Sequence, residues 1–133
     1  MRSLAVLLLL CACPGGNDGD CHEDTDCSAS NVCARNTECL PPSEVRAVRI
    51  TWTIRGMPAN EMLCATTPDF YLMFQGTQFN DTFGYAPVPC KAGVFSIDKM
   101  PRRFVSVEIG VDNGFSEVKA FDAQGNVAFD LSP

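Results

Sequence analysis

The sequence predicts an all-β protein, with a seven-stranded antiparallel β-sandwich preceded by a small disulfide-rich module. From residue 44 onward, short runs of alternating apolar and polar residues are separated by turn residues about every 8–12 positions, and no stretch has a helical period. Upstream, four cysteines stand six positions apart in a short polar segment. A chain of 133 residues is long enough for one domain plus such a module.

The first strand of the sandwich is predicted over residues 47–55, which alternate strictly. Its apolar face comprises Val48, Ile50, Trp52 and Ile54, and its polar face comprises Arg49, Thr51, Thr53 and Arg55. We expect a half-buried strand that ends at Gly56 and Pro58, with Trp52 as a core residue and a ligand-stacking role for Trp52 as the alternative.

Two further strands follow. Residues 69–76 form an apolar run bounded by Pro68 and Gly76, which predicts a more fully buried strand. A turn is expected at Asn80 and Asp81, and then a short strand around residues 83–88. The prolines at 87 and 89 place that strand at a sheet edge, because proline cannot donate to a ladder.

The remaining strands lie in the last third of the chain. Residues 93–98 predict a short strand with Phe95 and Ile97 facing inward. The next strand, within residues 103–111, is expected to bury one face, formed by Val105, Val107, Ile109 and Val111. The sequence Asp-Asn-Gly at 112–114 is a strong hairpin signal. Runs at 116–121 and 126–131, joined across residues 122–125, complete the set.

Residues 93–114 resemble the transthyretin-like and carboxypeptidase-regulatory-like sandwich families, in which a strand, a proline-containing turn and an alternating strand recur as a core hairpin. At the turn this chain has Pro101, Arg102, Arg103 and Phe104, with Arg103 where those families usually have glycine. The resemblance implies a spacer, adhesion or accessory domain. We expect Arg102 and Arg103 to form an exposed, solubilising turn, with binding of an anionic group as the alternative.

The N-terminal residues 1–12 have the pattern of a signal peptide. Arg2 provides a positive charge, Leu4 to Leu10 form a short apolar run, and Ala12 is the small residue expected before a cleavage site. Residues 13–20, rich in glycine and polar residues, are expected to form a flexible tether.

The sequence Leu10-Cys11-Ala12-Cys13 resembles a bacterial lipobox, which implies that Cys13 is the lipidation site. In that family the thiol receives diacylglycerol and the new terminal amine is acylated, and two or three acyl chains suffice for stable anchoring. Cys11 is the weaker candidate, because Leu10 is bulky for the position before the cut. An ordinary secretory signal and a hydrophobic start to the fold are the alternatives for this N-terminal segment. Pro14 stands where enteric lipoproteins carry an aspartate retention signal, which favours the outer membrane.

Six cysteines remain, an even number that suits a disulfide framework in an exported protein. Six cysteines allow fifteen pairings, of which we favour a crossed arrangement in the module over residues 21–40 and one bond in the sandwich over residues 44–133. The favoured pairs are Cys21 with Cys33, Cys27 with Cys39, and Cys64 with Cys90. Structural zinc is the alternative for the module, although its cysteines lack the usual close spacing.

The module, with Asp-Thr-Asp before its second cysteine, resembles the small cysteine-rich modules that follow the anchor in many myxobacterial lipoproteins. It is also similar to a reduced Dickkopf or EGF-type knot. These resemblances imply an architecture and no particular activity.

The acidic run over residues 18–26 is the best candidate metal site. Asp18, Asp20, Asp24 and Asp26 could supply the oxygen ligands that calcium prefers. The run resembles the calcium repeats of thrombospondin type, without the usual order of a calcium loop. A solvated acidic tether is the alternative, and no other cofactor is predicted.

Little in the chain indicates catalysis. The single histidine, His22, lies in the polar module, and neither a Gly-x-Ser-x-Gly elbow nor a phosphate-binding loop is present in the sequence. The formal net charge of −6 disfavours nucleic acid as a partner.

We therefore expect a non-enzymatic, lipid-anchored protein of the bacterial envelope that acts as a structural or protein-interaction module. Its partners would be the membrane, through the lipid, and an envelope protein or glycan. The alternatives are a calcium-dependent surface adhesion protein and a small secreted hydrolase or inhibitor.

Overall fold

A computed structural model describes residues 20–28 and 30–133. These residues contain ten strands and three single-turn 3₁₀ helices, at Asp24–Asp26, Pro42–Glu44 and Cys90–Ala92. The strands are β1 (Val32–Cys33), β2 (Cys39–Leu40), β3 (Val45–Ile54), β4 (Met57–Pro58), β5 (Asp69–Gly76), β6 (Thr82–Pro89), β7 (Val94–Pro101), β8 (Phe104–Gly110), β9 (Ser116–Ala120) and β10 (Asn126–Leu131). Within this part of the chain, no helix is long and apolar enough to cross a membrane.

The predicted all-β sandwich is confirmed, since strands β3 to β10 form two four-stranded sheets around one core. The first sheet has the order β10-β3-β4, with β7 also paired to β3, and the second has the order β6-β5-β8-β9. The seven long strands are those expected from the sequence, and β4 adds a short eighth. The fully buried large side chains include Ile50, Ile54, Leu72, Phe74, Phe104, Ile109 and Leu131.

Strand β3 has the predicted alternation, with Val48, Ile50, Trp52 and Ile54 all buried. The expectation that Trp52 is a core residue is confirmed. Its indole Nε1 donates a hydrogen bond to the carbonyl of Cys90 at 2.7 Å, and its ring packs edge-on against Phe70 of the facing sheet. The indole therefore contributes to the core without leaving its polar atom unpaired.

Strand β8 departs from the prediction at its first residues. Val105 is 43% exposed, so its inward placement was wrong, whereas Val107 and Ile109 are fully buried as expected. The pairing of β8 with β5 shifts register beside Phe104. This irregularity puts Phe104, in place of Val105, on the core side, because one extra residue reverses the faces of the residues before it.

Strand direction differs from the fully antiparallel expectation at one place. The last strand, β10, runs parallel to β3, whereas every other described pair is antiparallel. The connection over residues 121–125 crosses between sheets, so β10 joins the sheet opposite to that of β9. Strands β7 and β8 likewise pair in different sheets, so the core hairpin implied by the resemblance is an arch.

Candidate functional site

The disulfide framework has the favoured pairing. The bonds join Cys21 to Cys33, Cys27 to Cys39, and Cys64 to Cys90, with Cα–Cα distances of 5.7, 5.4 and 5.8 Å. Cys33 and Cys39 lie opposite each other in the β1–β2 ladder. The two bonds of the module therefore cross-link both strands of this short ladder to the segment that precedes it.

The module is docked on the edge of β7. The backbone N–H of Arg35 donates to the carbonyl of Lys99 at 3.0 Å, which extends the sheet by one hydrogen bond. The guanidinium of Arg35 donates to both carboxylate oxygens of Asp98, at 2.7 and 2.8 Å. These hydrogen bonds lower the pKa of Asp98 to about 2. Covering an edge strand in this way removes a site at which another chain could pair.

A second ion pair binds the first turn of the module to β7. The ammonium of Lys99 donates to Asp24 at 2.6 Å, and the same carboxylate oxygen accepts the backbone N–H of Cys33 at 2.9 Å. Both interactions favour the ionised carboxylate and lower the pKa of Asp24. Asp24 thus connects the 3₁₀ turn, the β1–β2 ladder and the sandwich.

Arg103 forms the third connection and was expected to be an exposed turn residue. It is half-buried, and its two terminal nitrogens donate to the carboxylate of Glu38 at 2.6 and 2.7 Å. Its Nε donates to Asp81 at 2.7 Å, and the guanidinium lies 4.8 Å from the ring centroid of Phe104. Arg103 therefore binds anionic groups of its own chain, whereas Arg102 is exposed as predicted.

The acidic run does not converge on one point in the described residues. Asp24 binds Lys99, and Asp26 accepts the backbone N–H groups of His22 and Glu23, which lowers the pKa of Asp26. Asp20 is exposed, and Asp18 lies outside the described residues. Two of the four expected calcium ligands thus have structural partners, and calcium binding stays a prediction.

One group of three side chains in the described residues has metal-ligand atoms within 4.8 Å of one another, and it consists of Cys21, Cys27 and Cys39. All three sulfurs are in disulfides. A disulfide sulfur is not a thiolate, the form of cysteine that ligates zinc. The grouping reflects the close approach of the two crossed bonds.

Docking of the module is expected to weaken as the pH falls from about 4 towards 2. The pKa of Asp98 is lowered from its ordinary value of 3.8 to about 2 by Arg35. A lowered pKa means that the stabilisation is fully present above 3.8 and is lost as the pH falls through 2. Asp24 on the module side has a lowered pKa as well, which adds to the same trend.

Amide hydrogen exchange measures this effect at the Arg35 N–H, which reports on the junction directly. Its protection factor should fall across that pH range, while the N–H of Trp52, bonded to Gly93 in the core, keeps its protection. Unchanged protection of Arg35 at pH 2 would contradict the expected role of Asp98.

Sequence reasoning identified the module and the sandwich and missed the junction between them. The bonds of Arg35 to Asp98 and of Arg103 to Glu38 join residues more than 60 positions apart. Such pairs leave no periodic signal. The one available hint was Arg35, the sole arginine or lysine among the acids of the module.

Comparison with known protein families, with curated proteins and with solved structures gives no match to this chain.

Proposed function

We propose that the chain is a lipid-anchored, non-enzymatic lipoprotein of the bacterial envelope that acts as a structural or protein-interaction module. The observation that carries the proposal is the cysteine arithmetic. All six cysteines from Cys21 to Cys90 are paired with one another. No described cysteine is left as a disulfide partner for Cys13, which follows the apolar run in the lipobox-like sequence.

The docked module supports the interaction role. A lipid on Cys13 would be joined through the short tether to Cys21, and the module is in turn fixed to β7 by Arg35 and Lys99. The sandwich would therefore be held in a defined orientation relative to Cys21, where the tether ends. A rigid scaffold of this kind suits the presentation of a surface to a partner.

The positions of the reactive side chains support a non-catalytic role. His22 is exposed, and its backbone N–H is bonded to Asp26 within the module. The cysteines of the described residues are disulfides and cannot act as thiolate nucleophiles.

Replacement of Cys13 by alanine is expected to release the protein from the membrane fraction, because the proposed lipid would have no attachment site. The measurement is the intact mass, without reduction, of protein extracted from its native membranes. The wild type should begin at Cys13, carry two or three acyl chains and lack the six hydrogens of three disulfides.

The matched control is Cys11→Ala, which should retain both the lipid and the membrane fraction. An unlipidated wild-type chain would overturn the anchor. Lipid on the Cys13→Ala protein would show that the attachment site was misassigned.

A further inference from the structure

The outward face of the second sheet differs in composition from the outward face of the first sheet. Register places its residues in three rows across β6, β5, β8 and β9. They are Thr82, Gln75, Ser106 and Ala120; then Gly84, Met73, Glu108 and Val118; then Tyr71, Gly110 and Ser116. We call this set the outer face. Glu108 is its only charged member, and Met73 and Val118 are exposed.

The corresponding face of the first sheet is charged. Its outward positions include Arg49, Asp98 and Asp130. Protein interfaces are depleted of charged residues at their centres and enriched in tyrosine and methionine. The outer face has one tyrosine, one methionine and a single charged residue, whereas the face of the first sheet includes at least three charged residues.

Tyr71 lies over Gly110 of the neighbouring strand on the outer face. A Cβ on Gly110 would lie 2.7 Å from the Tyr71 hydroxyl, so glycine at 110 allows the tyrosine to lie across the neighbouring strand. The hydroxyl donates to Glu108 Oε1 at 2.7 Å, which raises the pKa of Tyr71. The ring is therefore held in place before any partner binds, which reduces the entropy lost on binding.

The edges of this sheet are poor sites for strand addition. The outer strand β6 contains Pro87 and Pro89, which cannot donate to a ladder. At the other edge, β9 carries Glu117 and Lys119, which pair with each other at 2.9 Å. Charges of this kind on an edge strand disfavour pairing with another chain. A partner would accordingly use the face and not an edge.

Glu108 determines the charge that a binding partner should carry at the centre of the outer face. Its carboxylate accepts hydrogen bonds from Tyr71 and, at 3.4 Å, from Gln75, and no described lysine or arginine forms an ion pair with it. A carboxylate has about four acceptor positions, so two stay available. An uncompensated negative charge at the centre of an otherwise uncharged surface favours a partner that places a cation there.

The size of the outer face indicates a small interface. Four strands spaced about 4.8 Å apart and three rows of residues give a patch of roughly 15 Å by 15 Å. Such a patch is smaller than the standard interface of about 1,200–2,000 Å² in total and falls in the range of weak, transient complexes. That size suits a transient partner better than a permanent dimer.

We propose that the outer face binds a protein of the envelope that places a lysine or arginine side chain against Glu108. This inference rests on the proposed interaction role and does not require the lipid anchor.

The test is site-specific photo-cross-linking in the native cells, with the full chain. One variant carries the photoreactive residue in place of Val118, which is 50% exposed beside Glu108. The control carries it in place of Ala128, which is exposed on the face of the first sheet. We expect a discrete adduct with one protein from position 118 and none from position 128.

Charge variants then test the chemistry of the contact. Glu108→Lys should reduce the adduct from position 118 by about tenfold or more, the change expected for about 1.4 kcal/mol of affinity. Glu61→Lys has the same charge change at an exposed loop position and should leave the adduct unchanged. After the cross-linked partner is sequenced, replacing its contacting lysine or arginine by glutamate should restore the adduct of Glu108→Lys.

Several outcomes would overturn the proposal. They are no adduct from position 118, an adduct with a second copy of this chain or with a glycan, and an adduct insensitive to Glu108→Lys. The intact-mass measurement on the wild-type chain separates this result from the anchor. A lipidated chain without the adduct refutes only the docking, whereas an unlipidated chain with the adduct refutes only the anchor.

Discussion

Joint replacement of Cys64 and Cys90 by alanine is expected to lower the free energy of unfolding of the sandwich by about 3–4 kcal/mol. The bond closes a loop with a sequence separation of 26 residues. In the chain-entropy account, a cross-link of that span removes freedom from the unfolded chain, and its loss returns that freedom. A change of this size corresponds to a fall in melting temperature of about 15 °C or more in a domain of this length.

The contacts of the two half-cystines explain why the effect should reach the core. Both are buried, and the carbonyl of Cys90 accepts the Trp52 indole N–H. The backbone N–H of Cys90 donates to Pro68 at 2.8 Å, directly before β5. The bond thus fastens the long connection between β4 and β5 to the interior of the sandwich.

Thermal melting and denaturant titration of the double variant measure the effect. The matched comparison is the Cys27→Ala, Cys39→Ala double variant, whose bond spans 12 residues in the module. Its removal should expose the Arg35 amide to exchange while the core amides stay protected. A Cys64→Ala, Cys90→Ala protein that melts within about 3 °C of the wild type would contradict the loop-closure argument.

The sequence allowed the faces of the strands to be predicted better than their partners. Alternation placed Ile50 and Trp52 inward correctly, because a period of two reports directly which face is buried. It failed at Val105, since a shift in register reverses the faces locally and leaves no mark in the pattern.

The direction of strand β10 and the docking of the module could not be predicted from the local sequence pattern, for a different reason. Apolar and polar residues alternate in the same way in parallel and antiparallel strands. The sequence therefore gave no sign that β10 runs parallel to β3. The cysteine spacing indicated a cross-linked module, but its position depends on ion pairs such as that of Arg35 with Asp98. Those pairs form only once both folded parts exist.

Arg103→Ala is expected to detach the module from the turn between β7 and β8, at a cost of about 2–3 kcal/mol to that junction. Arg103 is the only described residue that donates to carboxylates of both parts, Glu38 in the module and Asp81 in the sandwich. Burial acts to raise the pKa of Glu38, but the hydrogen bonds from Arg103 and Asn36 prevail and lower it. Without Arg103, Glu38 would be half-buried without its cation.

Two neighbouring substitutions make this prediction specific. Arg103→Lys keeps the charge and loses the planar fork that binds both oxygens of Glu38, so an intermediate loss is expected. Arg102→Ala removes an exposed arginine bonded to the carbonyl of Ser43, and it should change stability by no more than about 0.5 kcal/mol. Equal effects of Arg102→Ala and Arg103→Ala would contradict a specific role for the Glu38 pair.

The readout is again local, because the sandwich has its own core. Proteolysis between the module and β3, together with exchange of the Arg35 amide, should increase in Arg103→Ala while the Trp52 amide keeps its protection. Loss of protection at both amides would mean that Arg103 stabilises the whole sandwich. That result would mean that the module and the sandwich form a single folding unit, and that the module is not a separate unit docked on the edge of β7.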